Sequence, residues 1–158
     1  NLAEAFRKAG QEVVHLHVAH DANYAGLPVT NVILGMSVKS GAMLKGSVDV
    51  ESVDAVMPAD TDIVHSRPMS LVGFHGTDLD SVLRYRGITT VVPVGVSTNI
   101  AIPGLSVAAS DLGYQVIVPE DCVAGADDEA HNFAIRRMLP LVSTVTESSK
   151  IIEAIASM

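Results

Sequence analysis

Tryptophan is absent, cysteine occurs once, and only 18% of the residues carry a charge. One thiol, Cys122, excludes a disulfide framework and a cysteine-based zinc ribbon. It suits a reducing compartment, so a cytoplasmic protein is expected. Basic residues are scarce, ten Lys and Arg against eighteen Asp and Glu, for a net charge of −8. They form no cluster, which excludes the phosphate backbone of a nucleic acid as partner. Long apolar runs are missing too. No uncharged run that is apolar throughout reaches the roughly 20 residues of a membrane helix, so no membrane partner is expected. No signal peptide is visible, although the chain starts at Asn1 rather than Met.

What is abundant is apolar side chain. Hydrophobic residues make up 48% of the 158 positions, and the mean hydropathy is +0.35. A chain of this length is the size of one domain. The excess fits a parallel sheet buried on both faces together with a subunit interface, so a homodimer or homotetramer is expected.

Along the chain, residues 2–9 read as an amphipathic helix stopped by Gly10, and 12–19 ("EVVHLHVA") as a strand. Residues 20–60 are Gly/Ser-rich and weakly periodic, with a short helix near Val32. A short strand at 62–66 follows. Thr77 should cap a helix through about Arg86, with Asp80 as its capping-box partner. "TTVVPVG" (89–95) reads as a strand, 103–112 as a helix ended by Gly113, and 115–119 as a strand. Residues 127–139 read as a helix, 142–146 as a strand and 148–157 as a closing helix. Strands alternating with helices predict an α/β fold, a doubly wound parallel sheet with helices on both faces. Ligands of such folds bind at the carboxyl ends of the strands. Pro93 fits badly inside a central strand, because it cannot donate to the ladder; either a bulge or an unpaired side is expected there.

Several side chains invite a functional reading and a plainer one. Cys122 in "PEDCVAG" has nothing to activate it and reads as a packing residue beside a turn, with Asp121 ordering the loop. His15 and His17 share one face of their strand and His20 follows, a pattern that raises a metal site. No flanking Cys or Glu supports one, and buried strand histidines with satisfied rings are commoner, so no metal is expected. His65 and His75 flank Arg67 and could line a pocket; Phe74 could wall it or belong to the core. Asp127, Asp128 and Glu129 read as the charged first turn of a helix. "GVSTN" lacks the glycine pattern and lysine of a phosphate loop, and no cofactor is expected.

Three segments in order, "GTDLDSVLRYRGITTVVPVGVSTN", "AASDLGYQVIVPEDCVAG" and "EAH", carry a resemblance. The chain resembles the isochorismatase-like (cysteine hydrolase) superfamily over residues 1–147, most specifically from Gly76 to His131. The resemblance implies a doubly wound α/β/α fold and an oligomer, and a single domain over 1–158. Most members hydrolyse amides with an Asp, a Lys and a nucleophilic Cys; the isochorismatase branch lacks the Cys. Carried over by position, the Cys falls on Ala101 and the Lys on or beside Arg67. The Asp would precede residue 1. The resemblance further implies a cis peptide between Val96 and Ser97, and an oxyanion or substrate site built from Val96, Ser97, Thr98, Asn99 and Ala101, with Phe74 and His75 beside it.

Losing a covalent nucleophile costs on the order of 10⁶ in rate, about 8 kcal/mol of barrier. Arginine, with a pKa above about 12, cannot share a proton as lysine does, but it can hold an anion. A helix amino terminus also binds oxyanions without any side chain. Two functions are therefore expected to compete. One is a small-molecule hydrolase acting without a covalent Cys. The other is an inactive family member that binds a small, anionic molecule. The sheet order 3-2-1-4-5-6 implied by the resemblance would need a strand before residues 2–9. The chain is accordingly expected to be incomplete at its amino end, with an Asp or Glu on that strand as general acid.

Overall fold

The computed structural model describes residues 1–157, which form two compact units. One comprises residues 1–11 and 71 onward; the other is Glu12–Ser70.

In the Glu12–Ser70 unit, β1 (Val14–Val18) and β2 (Ile63–Arg67) pair in parallel, Val14 opposite Ile63 and Val18 opposite Arg67. Between them the chain forms α2 (Val32–Ser40) and three short 3₁₀ turns, more order than the sequence pattern suggests. The Asn31 side chain caps α2 by accepting from the Leu34 N–H at 3.0 Å. Only Leu34 of that helix is buried; Val32 and Met36 are exposed.

The other unit is built on three parallel strands in the order β3 (Thr90–Val91), β5 (Gln115–Pro119), β7 (Thr144–Thr146). A separate parallel ladder joins β4 (Gly95–Val96) to β6 (Val123–Ala124). Five helices belong here: α1 (Leu2–Lys8), α3 (Leu79–Tyr85), α4 (Ala101–Asp111), α5 (Asp128–Phe133) and α6 (Ser148–Ala156). Val116 and Val118 of β5, Leu79 and Leu83 of α3, Ile102 and Ala109 of α4, and Leu139 are buried at its centre. α1 packs on α6.

Several expected boundaries move, each for a local reason. The strand expected over 89–95 is divided. β3 pairs with β5, residues 92–94 are irregular, and β4 pairs with β6. Buried Pro93 has no N–H to continue a ladder, and the chain changes partner around it. α4 starts at Ala101, not 103, and takes Pro103 into its first turn, where a missing N–H removes no intrahelical bond. Asp78 occupies the N-cap position of α3; the Thr77 hydroxyl accepts from the Leu79 N–H at 3.3 Å and donates to the Gly73 carbonyl. The expected capping box does not close, because Asp80 turns outward to Arg84 and the Tyr114 hydroxyl. The helix expected over 127–139 is α5 followed by a π-helical turn (Ala134–Met138) and a 3₁₀ turn (Leu139–Leu141) that contains Pro140.

Candidate active site

The corner between β4 and α4 is held by backbone bonds. Gly95 lies opposite Val123 and Val96 opposite Ala124 in the ladder. The Val96–Ser97 peptide is cis, as the resemblance implies. Beyond it, the Thr98 N–H donates to the Ala124 carbonyl at 2.9 Å, and the Ser97 carbonyl accepts from Ile100 at 3.3 Å and Ile102 at 3.0 Å. Those bonds leave three donors over. Among the described residues, none of the Ser97, Asn99 and Ala101 N–H groups has a protein acceptor.

Ala101 is the first residue of α4 and is half-buried, while Ile102 and Pro103 below it are buried. The unpaired amides of an eleven-residue helix converge here, and no acidic residue sits in its first turn. The corner thus presents partial positive charge and N–H donors to an anion, with no side chain to compete. An open groove of about 530 Å³ starts at Asn99 and Ile100 and continues between Val72, Gly104, Val107 and Met138. Its lining is mostly apolar, with Asp111 at its edge.

Thr98 is completely buried, and its hydroxyl lies 2.9 Å from Nδ1 of His131 on α5. Gly125, one residue past β6, is pressed against the same hydroxyl. A Cβ there would lie 2.5 Å from Thr98 Oγ1, so only glycine fits. α5 itself is started by the Asp127 carboxylate, which accepts from the Ala130 N–H at 2.7 Å. Asp128 and Glu129 follow in its first turn, as the sequence suggests. The fold therefore brings Val96, Ser97, Thr98, Asn99 and Ala101 together. His131 and Gly125 were not marked as site residues from sequence; the "EAH" motif and the glycine of "VAG" were their only signals.

Other expected positions make contacts of their own. The Phe74 ring stacks on Tyr114 with centroids 5.8 Å apart, and Arg84 lies over the same tyrosine. Burial raises the Tyr114 phenol above its usual range, helped by its hydrogen bond to Asp80. His75 is exposed. Cys122 ends a 3₁₀ turn before β6 and is half-buried.

Arg67 belongs to the other compact unit, as the last residue of β2. It is buried, its Nε donating to the Ser70 carbonyl at 3.2 Å and its Nη1 to the Leu16 carbonyl at 3.4 Å. Burial pulls the guanidinium below its ordinary pKa. The three strand histidines each have a protein partner. His15 Nε2 meets Asp62 at 2.9 Å, His17 Nε2 meets the Ser52 hydroxyl at 3.0 Å, and His20 Nδ1 donates to the Pro68 carbonyl at 2.6 Å. Burial, and secondarily His15, holds the His17 imidazole below its usual value. Among the described residues, no three His, Cys, Asp or Glu side chains gather as metal ligands, and no helix is long and apolar enough to cross a membrane.

The comparisons with known proteins agree with this geometry. The chain is 32% identical over 98% of its length to the isochorismatase family protein YecD of Escherichia coli O157:H7, spanning 79% of that protein. It is 29% identical over 97% of its length to the ureidoacrylate amidohydrolase RutB of Agrobacterium fabrum, of which it covers 74%. Among solved structures, an isochorismatase family protein from Burkholderia thailandensis superposes with a TM-score of 0.85 at 26% identity, covering 98% of this chain and 79% of that one. The isochorismatase domain family matches residues 1–150, and with an α/β fold of parallel strands and a cis corner at the foot of α4, the chain belongs to that family of hydrolases.

Proposed function

We propose that this chain hydrolyses a small amide or carbamoyl compound without a covalent cysteine. The observation that carries the proposal is the group of acceptorless N–H donors at Ser97, Asn99 and Ala101, where α4 begins and Ala101 offers no nucleophile. The amide substrate class follows from the likeness to an amidohydrolase.

Water adds to the carbonyl carbon, and the carbonyl oxygen becomes an oxyanion on these N–H groups. The carbon–nitrogen bond then breaks, and the proton released by water goes to the leaving amine. Each such donor is worth about 10²–10³ in rate, since it meets charge that exists only in the transition state. That leaves such an enzyme slower than a cysteine-dependent relative, which also has the covalent route.

The test is NMR-monitored hydrolysis of a panel of small ureido, carbamoyl and carboxamide compounds by the native chain and by Cys122→Ala. Turnover equal in both supports the proposal; turnover lost with Cys122 would make that thiol the nucleophile and overturn it. The methyl of Ala101, at the position of the family nucleophile, favours a second reading. Under it the chain binds small carboxylates and turns nothing over, as carboxylate binding without hydrolysis across the panel would show.

A further inference from the structure

We infer that the Thr98 hydroxyl and the His131 ring form a clamp that positions the Asn99 and Ala101 N–H groups, so that both are positioning residues for the anion site. The inference rests on the function proposed above for that corner, but its geometry stands independently.

Two regions distant in sequence, the turn at Thr98 and the stretch from Gly125 to His131, meet at one buried oxygen. Thr98 lies in the turn leading to α4, Gly125 in the connection after β6, and His131 on α5. The hydroxyl is completely buried, so no water can replace a lost partner, and an unmade bond there leaves a buried polar group unsatisfied. A threonine hydroxyl rotates to donate or accept, so it answers either tautomer of the ring at 2.9 Å. The backbone of the same residue is fixed as well, through its N–H to Ala124. Thr98 is thus tied at backbone and side chain to two different segments, and Asn99 is the next residue in the chain. A Cβ on Gly125 would lie 3.8 Å from the Asn99 Oδ1, so the same contact reaches that side chain.

Among the described residues, no other side chain of residues 97–101 makes a hydrogen bond, so this one adds a side-chain tie to the backbone bonds that hold the turn. Without it, the free donors at Asn99 and Ala101 are held less firmly, and an oxyanion hole depends on donors held in place before the charge forms.

Four variants test the clamp. Thr98→Ser keeps the hydroxyl and His131→Asn keeps a polar atom near Nδ1; Thr98→Val and His131→Ala keep neither. Hydrogen exchange in the free protein is measured at the Thr98 amide and, as a reference, at the amides of β5. The clamp predicts Thr98 exchange at least tenfold faster than in the parent for Thr98→Val and His131→Ala, beyond any change in β5, and within threefold of the parent for the conservative pair. Benzoate titration, followed at the Asn99 and Ala101 amide resonances well below the melting temperature, should show affinity reduced tenfold or more in the same two variants. A lowered melting temperature with unchanged exchange at Thr98 and unchanged benzoate affinity would reduce the pair to a structural role and overturn the inference. If the parent gives no benzoate shifts, the anion-site reading falls while the exchange data still decide the clamp.

Discussion

Replacing Ala101 by Asp separates the anion site from the stability of the helix that builds it. The first turn of α4 contains no acidic residue, so a carboxylate at its first position would meet only unpaired N–H groups. That contact with the helix dipole is worth about 0.3–1 kcal/mol, from which the poorer helix preference of Asp relative to Ala removes about 0.5 kcal/mol. The net is a melting temperature held level or raised by up to about 2 °C for a chain of this size. The effect on a ligand has the opposite sign. A carboxylate bound at the Asn99 and Ala101 amides would lie about 5 Å from the new one, and two charges at that distance repel by about 3 kcal/mol at an effective dielectric of 20. Because Ala101 is only half-buried, solvent and salt reduce this to about 1.5–2 kcal/mol, a loss of affinity of about 10- to 30-fold. Ala101→Asn, similar in size and uncharged, should lose no more than about threefold. The assay is benzoate titration at fixed ionic strength, paired with thermal unfolding of the same samples. An Asp variant that binds benzoate as the native chain does would refute the assignment of the site. One that melts several degrees lower would refute the account of the helix terminus.

Gly125→Ala should destabilise the fold by about 1–3 kcal/mol in chemical denaturation, since its Cβ would sit 2.5 Å from a fully buried hydroxyl; a cost under about 0.5 kcal/mol would show that the loop yields freely. Ala101→Cys should give no appreciable amide turnover, because a thiol needs a base and a cationic neighbour to become a nucleophile and the substitution supplies neither; turnover of nicotinamide well above the native level would contradict this. Burial lowers the pKa of His17, so the unfolded chain binds its proton more readily than the folded one. The stability this gives is complete above the ordinary histidine value of about 6.5 and is lost as pH falls through the depressed folded value. His17→Gln should therefore flatten the loss of stability on acidification below about pH 6.5, and an unchanged slope would place the acid sensitivity elsewhere. Light scattering at micromolar concentration should give a dimer or tetramer, given exposed Leu141, Phe133 and Met138; a monomer would refute the interface inferred from the apolar excess.

Local chemistry in the sequence determined much of this protein. Apolar runs separated by amphipathic segments sufficed for the alternating strands and helices, because periodicity reports which face a segment buries. Asp127 followed by acidic residues marked the start of α5, since a cap is satisfied within its own turn. The order of short motifs reached the family and the corner at residues 96–101. Tertiary structure decided what depends on partners remote in the chain. Pro93 could be flagged as a misfit, but only the ladders show the chain leaving β5 for β6 around it. Asp80 had the spacing of a capping box, yet Tyr114, which is 34 residues away, and Arg84 claim its carboxylate. Pro103 looked like a helix start and lies inside the first turn, because the bonds from Ile100 and Ile102 to Ser97 begin the winding earlier. The meeting of Thr98, Gly125 and His131 was beyond any local pattern. A hydrogen bond across 33 residues and a contact that tolerates no Cβ leave no periodicity in a sequence, since both exist only once the segments have packed.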